Sequence, residues 1–150
     1  MTSGNASTVI PFGTDVADAI DSFGPLTSYT PTIGGAFTLG NGTSSGWYTR
    51  IEKFVLWRAT FTFGSTSSAG TGGCQFSLPV AASSNESEHL VTGTFKITTR
   101  YVASGYYNAT TTAILYVTGT NGLFTNCTTS VPASWTTGSS VQARGWYEAA

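Results

Sequence analysis

The single histidine, His89, closes a polar run that reads Ser83-Ser84-Asn85-Glu86-Ser87-Glu88. An imidazole beside carboxylates can move protons, but a Ser–His–Asp relay also needs a nucleophile poised on a turn with oxyanion donors beside it. No such nucleophile stands out, and in a loop of small polar residues His89 reads as a surface side chain. Glu86 and Glu88 supply two carboxylates, the number that glycoside hydrolysis requires across a sugar-sized gap. In the same loop they read as a solvated turn. The other acids are Asp15, Asp18, Asp21, Glu52 and Glu148, and no segment packs enough of them for a calcium loop. Cys74 and Cys127 lie too far apart in sequence for the close pairs of a zinc site. A bridge between them and two separate small thiols both fit. The expectation is a chain with no catalytic residues, no metal and no cofactor, and so not an enzyme.

Binding chemistry is better represented. Tyr106-Tyr107, beside the turn signal Ser104-Gly105, and Trp135 in Pro132-Ala133-Ser134-Trp135 could stack on the apolar face of a sugar. Aromatic residues at such positions serve a core or an interface equally well. Arg50, Arg58, Arg100 and Arg144 fall among polar or aromatic neighbours, where each could hold a carboxylate across an interface. Asn5, Asn41, Asn85, Asn108 and Asn126 begin Asn-x-Ser/Thr triplets, but glycosylation needs a secretory route, and none is visible.

The elements that would position these residues follow from composition. The chain has 150 residues, 40% hydrophobic, 13% aromatic and only 9% charged, with formal net charge -1. So neutral a surface does not suit a nucleic-acid binder. So much aromatic content excludes a disordered tail. No apolar run approaches the roughly 18 residues of a membrane span. The N-terminal residues lack the basic-then-apolar pattern of a secretory signal. Production in the cytoplasm is the expectation. Ser and Thr occupy 45 positions and Gly another 18, a mixture suited to short strands joined by polar turns.

Residues 1–25 read as an N-terminal arm. Thr14 is a candidate N-cap, Asp15 and Asp18 suit the positive end of a helix, and Gly24-Pro25 is a stop. Between them Val16, Ala19, Ile20 and Phe23 form one apolar stripe at helical spacing. A helix of about two turns must dock to persist, either on its own domain or, with Val9, Ile10 and Phe12, on a neighbour. From about residue 28 the period becomes two. Val55, Trp57, Ala59, Phe61 and Phe63 share one face of a strand, and Thr94–Tyr101 alternates in the same way. Further strands are expected at 37–39, 47–51, 75–78, 111–118, 123–127 and 140–148, making residues 26–150 an all-β domain. Their number and spacing suit an antiparallel two-sheet sandwich, jelly-roll-like in kind. Phe54 and Leu56 make the other face of the first strand apolar, and Ile114 and Tyr116 do so for 111–118. Strands apolar on both sides are expected where both faces are covered, so these four residues are the candidate oligomer interface.

Several short patterns appear together. They are Leu26-Thr27-Ser28-Tyr29-Thr30-Pro31, Gly40-Asn41-Gly42-Thr43, Gly46-Trp47-Tyr48-Thr49-Arg50-Ile51, Thr62-Phe63-Gly64-Ser65, Phe76-Ser77-Leu78-Pro79 and Gly145-Trp146-Tyr147-Glu148-Ala149. In this order they resemble a β-domain of structural proteins from tailed bacteriophages, especially phages of actinobacteria, over residues 26–149. The family's usual Gly-Asp before the last strand is Gly138-Ser139 here. The resemblance implies a trimerising sandwich without enzymatic activity, found in small virion proteins and at the ends of tail-fibre-type proteins. The expected role is a capsid decoration or accessory protein. It would form a homotrimer bound to the major capsid protein or other virion proteins through Val9, Ile10, Phe12, Val16, Ile20 and Phe23. It would be made in the host cytoplasm and released in the virion by lysis, with no nucleic-acid or membrane partner. The alternative is a tail-associated receptor-binding module holding a host-surface glycan on Tyr106, Tyr107 or Trp135.

Overall fold

A computed structural model describes residues 24–84, 89–119 and 121–150. The expected arm and helix, with Val9, Ile10, Phe12, Val16, Ile20 and Phe23, lie outside the described residues, as do Glu86 and Glu88. Every described element is a strand: β1 (Thr27–Tyr29), β2 (Ile33–Thr38), β3 (Thr43–Ile51), β4 (Phe54–Thr62), β5 (Ser68–Ser77), β6 (Leu90–Lys96), β7 (Arg100–Ala109), β8 (Thr112–Thr118), β9 (Phe124–Thr125) and β10 (Ser140–Glu148). All pair antiparallel, in the order β1-β3-β4-β10-β6-β7-β8-β5-β2, with β9 added to β8. The all-β, antiparallel expectation is met. The ladder runs without a break, so hydrogen bonding does not divide it into two sheets.

The sheet curls. Its outermost strands, β1 and β2, are consecutive in the chain and joined by residues 30–32 alone, so the two edges are drawn toward each other. The link is held from both sides: Ser44 Oγ donates to the Pro31 carbonyl, and the Thr32 amide donates to Ser77 Oγ at 2.8 Å. Register shifts put extra residues in β5 opposite β2 and in β7 opposite β8, irregularities that bend strands. As a result Phe37 of β2 meets Phe61 of β4 and Phe95 of β6, with ring centroids 6.3 and 6.5 Å apart, although five strands separate β2 from β4 in the order.

The concave side is the core. Alternate residues of β4, Val55, Trp57, Ala59 and Phe61, are buried there, as are Ala113, Leu115 and Val117 of β8. Burying each large apolar side chain contributes about 1.5–3 kcal/mol. Two tyrosine hydroxyls inside are paired. Trp57 Nε1 donates to Tyr107 Oη at 2.9 Å, and that hydroxyl donates to the Trp146 carbonyl at 2.8 Å. A Cβ at position 145 would stand 2.7 Å from the same hydroxyl, so glycine there makes room for the network. Tyr147 Oη donates to the Val80 carbonyl at 2.8 Å.

Three strand expectations need correction. Thr94–Tyr101 is a hairpin: β6 ends at Lys96, the Ile97 amide donates to the Thr99 carbonyl, and β7 begins at Arg100. Phe95 and Tyr101 share a face because they are register partners, which mimics alternation along one strand. β5 begins at Ser68, inside a run that reads as a turn, because pairing with β2 and β8 holds a Gly-rich segment extended. The Ser104-Gly105 turn signal is mid-strand in β7; a Cβ at Gly105 would collide with the Ile114 carbonyl on β8.

Candidate functional site

Directly paired residues of neighbouring strands point to the same side of a sheet. Register therefore builds rows across the convex face. One row runs Thr49, Leu56, Trp146 through β3, β4 and β10. On the far side Leu90, Tyr106 and Ile114 continue across β6, β7 and β8. Leu56 is 39% exposed, Trp146 51% and Leu90 60%. Phe54 and His89 flank Trp146, with ring centroids 5.5 and 5.0 Å away. The next row is Trp47, Arg58 and Arg144, then Thr92. Arg58 lies 4.9 Å over the Trp47 ring, a cation–π contact.

Hollows open on this face, one of about 360 Å³ among Phe54, His89 and Trp146 and two beside Arg58 and Arg144. The larger, about 440 Å³, is lined by Leu26, Thr49, Leu56, Arg58, Arg144 and Trp146 among others. The smaller, about 290 Å³, lies between Trp47, Arg58 and Arg144 on one side and Thr60, Thr94 and Gln142 on the other. Strand pairing places the four candidate interface residues outward, in two groups. Phe54 and Leu56 join Trp146, whereas Ile114 and half-buried Tyr116 lie on β8, four strands away in the order. There Tyr106, Tyr116 and Phe124 form a trio of near-parallel rings with centroids 5.6–6.2 Å apart.

Two stacking candidates are corrected. Tyr107 is 1% exposed, because it points inward on a strand and its hydroxyl belongs to the Trp57 network. Trp135 closes one end of the core: its ring stacks on Phe63 at 4.9 Å and meets Phe37 edge-on, while Nε1 donates to the Thr128 carbonyl. Tyr106 alone faces outward. His89 is half-buried against Trp146 rather than a freely solvated side chain.

Neither a serine on a nucleophile turn nor a cluster of metal-ligating residues is formed among the described residues. The expectation that the chain has no Gly-x-Ser-x-Gly pattern is wrong as to sequence, because Gly42-Thr43-Ser44-Ser45-Gly46 spells it. That pattern needs a sharp strand-to-helix turn. Ser44 instead lies inside β3 and spends its hydroxyl on Pro31. No three His, Cys, Asp or Glu side chains among the described residues group where a metal could sit. Cys74 and Cys127 are free and buried. Burial raises both thiols, Cys74 well above its ordinary value with Cys127 adding to the effect, and Cys127 to about 12. Such thiols are poor nucleophiles at neutral pH.

Sequence reading missed Trp146, Leu90 and Leu26 as surface residues. Alternation in β10 carried a signal for Trp146, since Tyr147 and Trp146 must face opposite ways. No protein-family model matches the chain, and neither a curated protein nor a solved structure matches it.

Proposed function

We propose that this chain is a non-enzymatic structural protein of a bacteriophage virion, a capsid decoration or accessory protein that assembles as a homotrimer. In this reading the curled sheet serves as a jelly-roll-like, two-layered body. The N-terminal arm, with Val9, Ile10 and Phe12 ahead of a short helix that carries Val16, Ile20 and Phe23, tethers it to the major capsid protein. The observation that carries the reading is the apolar convex face. Phe54, Leu56, Trp146 and Leu90 stand exposed side by side on strands whose opposite faces already fill a core. Exposed apolar patches of this kind mark interaction surfaces, and closed rings of identical subunits are the common way to cover them. The sequence resemblance over residues 26–149 supplies the virion setting.

Two measurements test this. Light scattering of the purified protein should return three times the 15.6 kDa chain mass, and Phe54→Asp should shift it to the monomer. Immunogold labelling of intact particles, with antibody raised against residues 28–150, should decorate the head. A monomer at all concentrations would overturn the self-association. Label confined to the tail would overturn the capsid role in favour of a second reading, a receptor-binding module. The ring trio Tyr106, Tyr116 and Phe124 supports that alternative, and there Tyr106→Ala should abolish binding to a host-surface glycan.

A further inference from the structure

The larger hollow on the convex face joins two kinds of unmet chemistry. Its floor is apolar, with Leu26 62% exposed, Leu56 39% and Trp146 51%. Its wall is Arg58 and Arg144, register partners on β4 and β10. Like charges placed directly opposite on neighbouring strands repel. Among the described residues neither guanidinium has a carboxylate within ion-pair distance; the ion pair formed there is Lys53–Glu148 at 3.8 Å. The group that fits this hollow carries acids beside large apolar side chains.

Such a segment begins at the hollow's rim. The Gly24 carbonyl accepts a hydrogen bond from Thr49 Oγ1, and Leu26 lines the hollow itself. Immediately upstream the chain reads Asp15-Val16-Ala17-Asp18-Ala19-Ile20-Asp21-Ser22-Phe23. Three of the chain's seven acids sit here, interleaved with the bulky apolar residues Val16, Ile20 and Phe23. The distance is short as well. Strands lie about 4.8 Å apart, which puts β10 roughly 10 Å from β3 across β4. Nine residues cover that distance even at the ~1.5 Å rise of a helix, the most compact case.

We propose that residues 15–23 seat in this hollow on their own chain's domain. Asp18 and Asp21 neutralise the Arg58–Arg144 pair, and Val16, Ile20 and Phe23 cover Leu56 and Trp146. Seating them there leaves Val9, Ile10 and Phe12, farther upstream, as the part of the arm free to reach another protein. Phe54, Ile114 and Tyr116 stay open for self-association. The inference narrows the proposed tether to Val9, Ile10 and Phe12 and the proposed self-association surface to Phe54, Leu90, Ile114 and Tyr116, and it stands on charge and apolar complementarity within one chain.

Hydrogen exchange on the full chain tests it. Amides of residues 15–23 should exchange at least about tenfold more slowly than in a free peptide of that sequence. The protection should vanish in Arg58→Glu/Arg144→Glu and in Asp18→Arg/Asp21→Arg, and return when all four changes are combined. The Asp variant alters no residue of the β-domain, so it stays informative if the Arg variant fails to fold. Exchange at the free-peptide rate in the unaltered chain would overturn the proposal. So would protection indifferent to both reversals. Protection lost on roughly hundredfold dilution would overturn the same-chain seat and assign it to a second copy. Particles labelled only at the tail would leave this exchange pattern unchanged, so the two readings fail separately.

Discussion

The two faces of strand β10 make opposite use of the same alternation. Val141, Ala143 and Tyr147 point inward and are almost wholly buried, while Arg144 and Trp146 point outward and remain exposed. Inside, the β10 side chain and its neighbours find partners: Tyr147 Oη bonds Val80, and Tyr107 Oη bridges Trp57 Nε1 to the Trp146 carbonyl. Outside, an indole and two guanidiniums stand in register with groups that do not complete them. The curl explains the difference. Closing one face against itself removes its apolar surface from water, and the opposite face has no other part of the sheet to fold onto. Burial is concentrated on the concave side, and exposed apolar surface is left on the convex side.

Substitutions on the two faces should therefore separate. Phe61→Ala removes a fully buried ring that packs on Phe37 and Phe63 and should cost about 3–5 kcal/mol in chemical denaturation. A loss below 1 kcal/mol would mean that the interior is not close-packed. Tyr107→Phe keeps the ring but strips Trp57 Nε1 of its acceptor. It should cost about 1–3 kcal/mol, the penalty for an unsatisfied buried donor, with the fold retained.

The buried thiols give the interior a pH signature. Burial lifts Cys127 from an ordinary 9.0 to about 12, so the folded state holds its proton where the unfolded state releases it. The contribution is intact below pH 9 and lost as pH rises from about 9 toward about 12. The fall approaches about 1.4 kcal/mol per pH unit for each such thiol. Urea melts at pH 7 and pH 10 should resolve it, and Cys127→Ala should flatten the dependence. Stability that climbs over this range would contradict the buried, protonated thiol. Trp146→Ser, on the convex side, should change monomer stability least, within about 0.5 kcal/mol as for other surface sites. Its effect should appear as faster amide exchange in residues 15–23. A loss as large as that of Phe61→Ala would erase the distinction between the faces.

Much of the concave face was legible in advance. Val55 to Phe63 alternates with period two, and so do Ala113, Leu115 and Val117; that period alone specifies a strand and the residues it buries. Phe54 and Leu56 were legible as an apolar second face for the same reason. The hairpin at 97–99 was not, because Phe95 and Tyr101 become register partners across it and preserve the appearance of a single strand. Nor was β5, whose Ser and Gly residues have no strand preference of their own and are held by β2 and β8. The stacking residues failed at a single step. Sequence placed Tyr106 and Tyr107 side by side, and only the strand's orientation assigned one ring outward and the other to the core.

By itself, then, the sequence determined the class of the fold, the low charge and the existence of strands apolar on both sides, because these depend on residue type and local period. Only the tertiary structure decided that one continuous sheet curls until β2 meets β4 and β6, that Arg58 faces Arg144, and that Leu26, Leu56 and Trp146 share a hollow. Those facts depend on strand order and register, which are fixed by contacts between segments far apart in the chain, and no local pattern of residues records them.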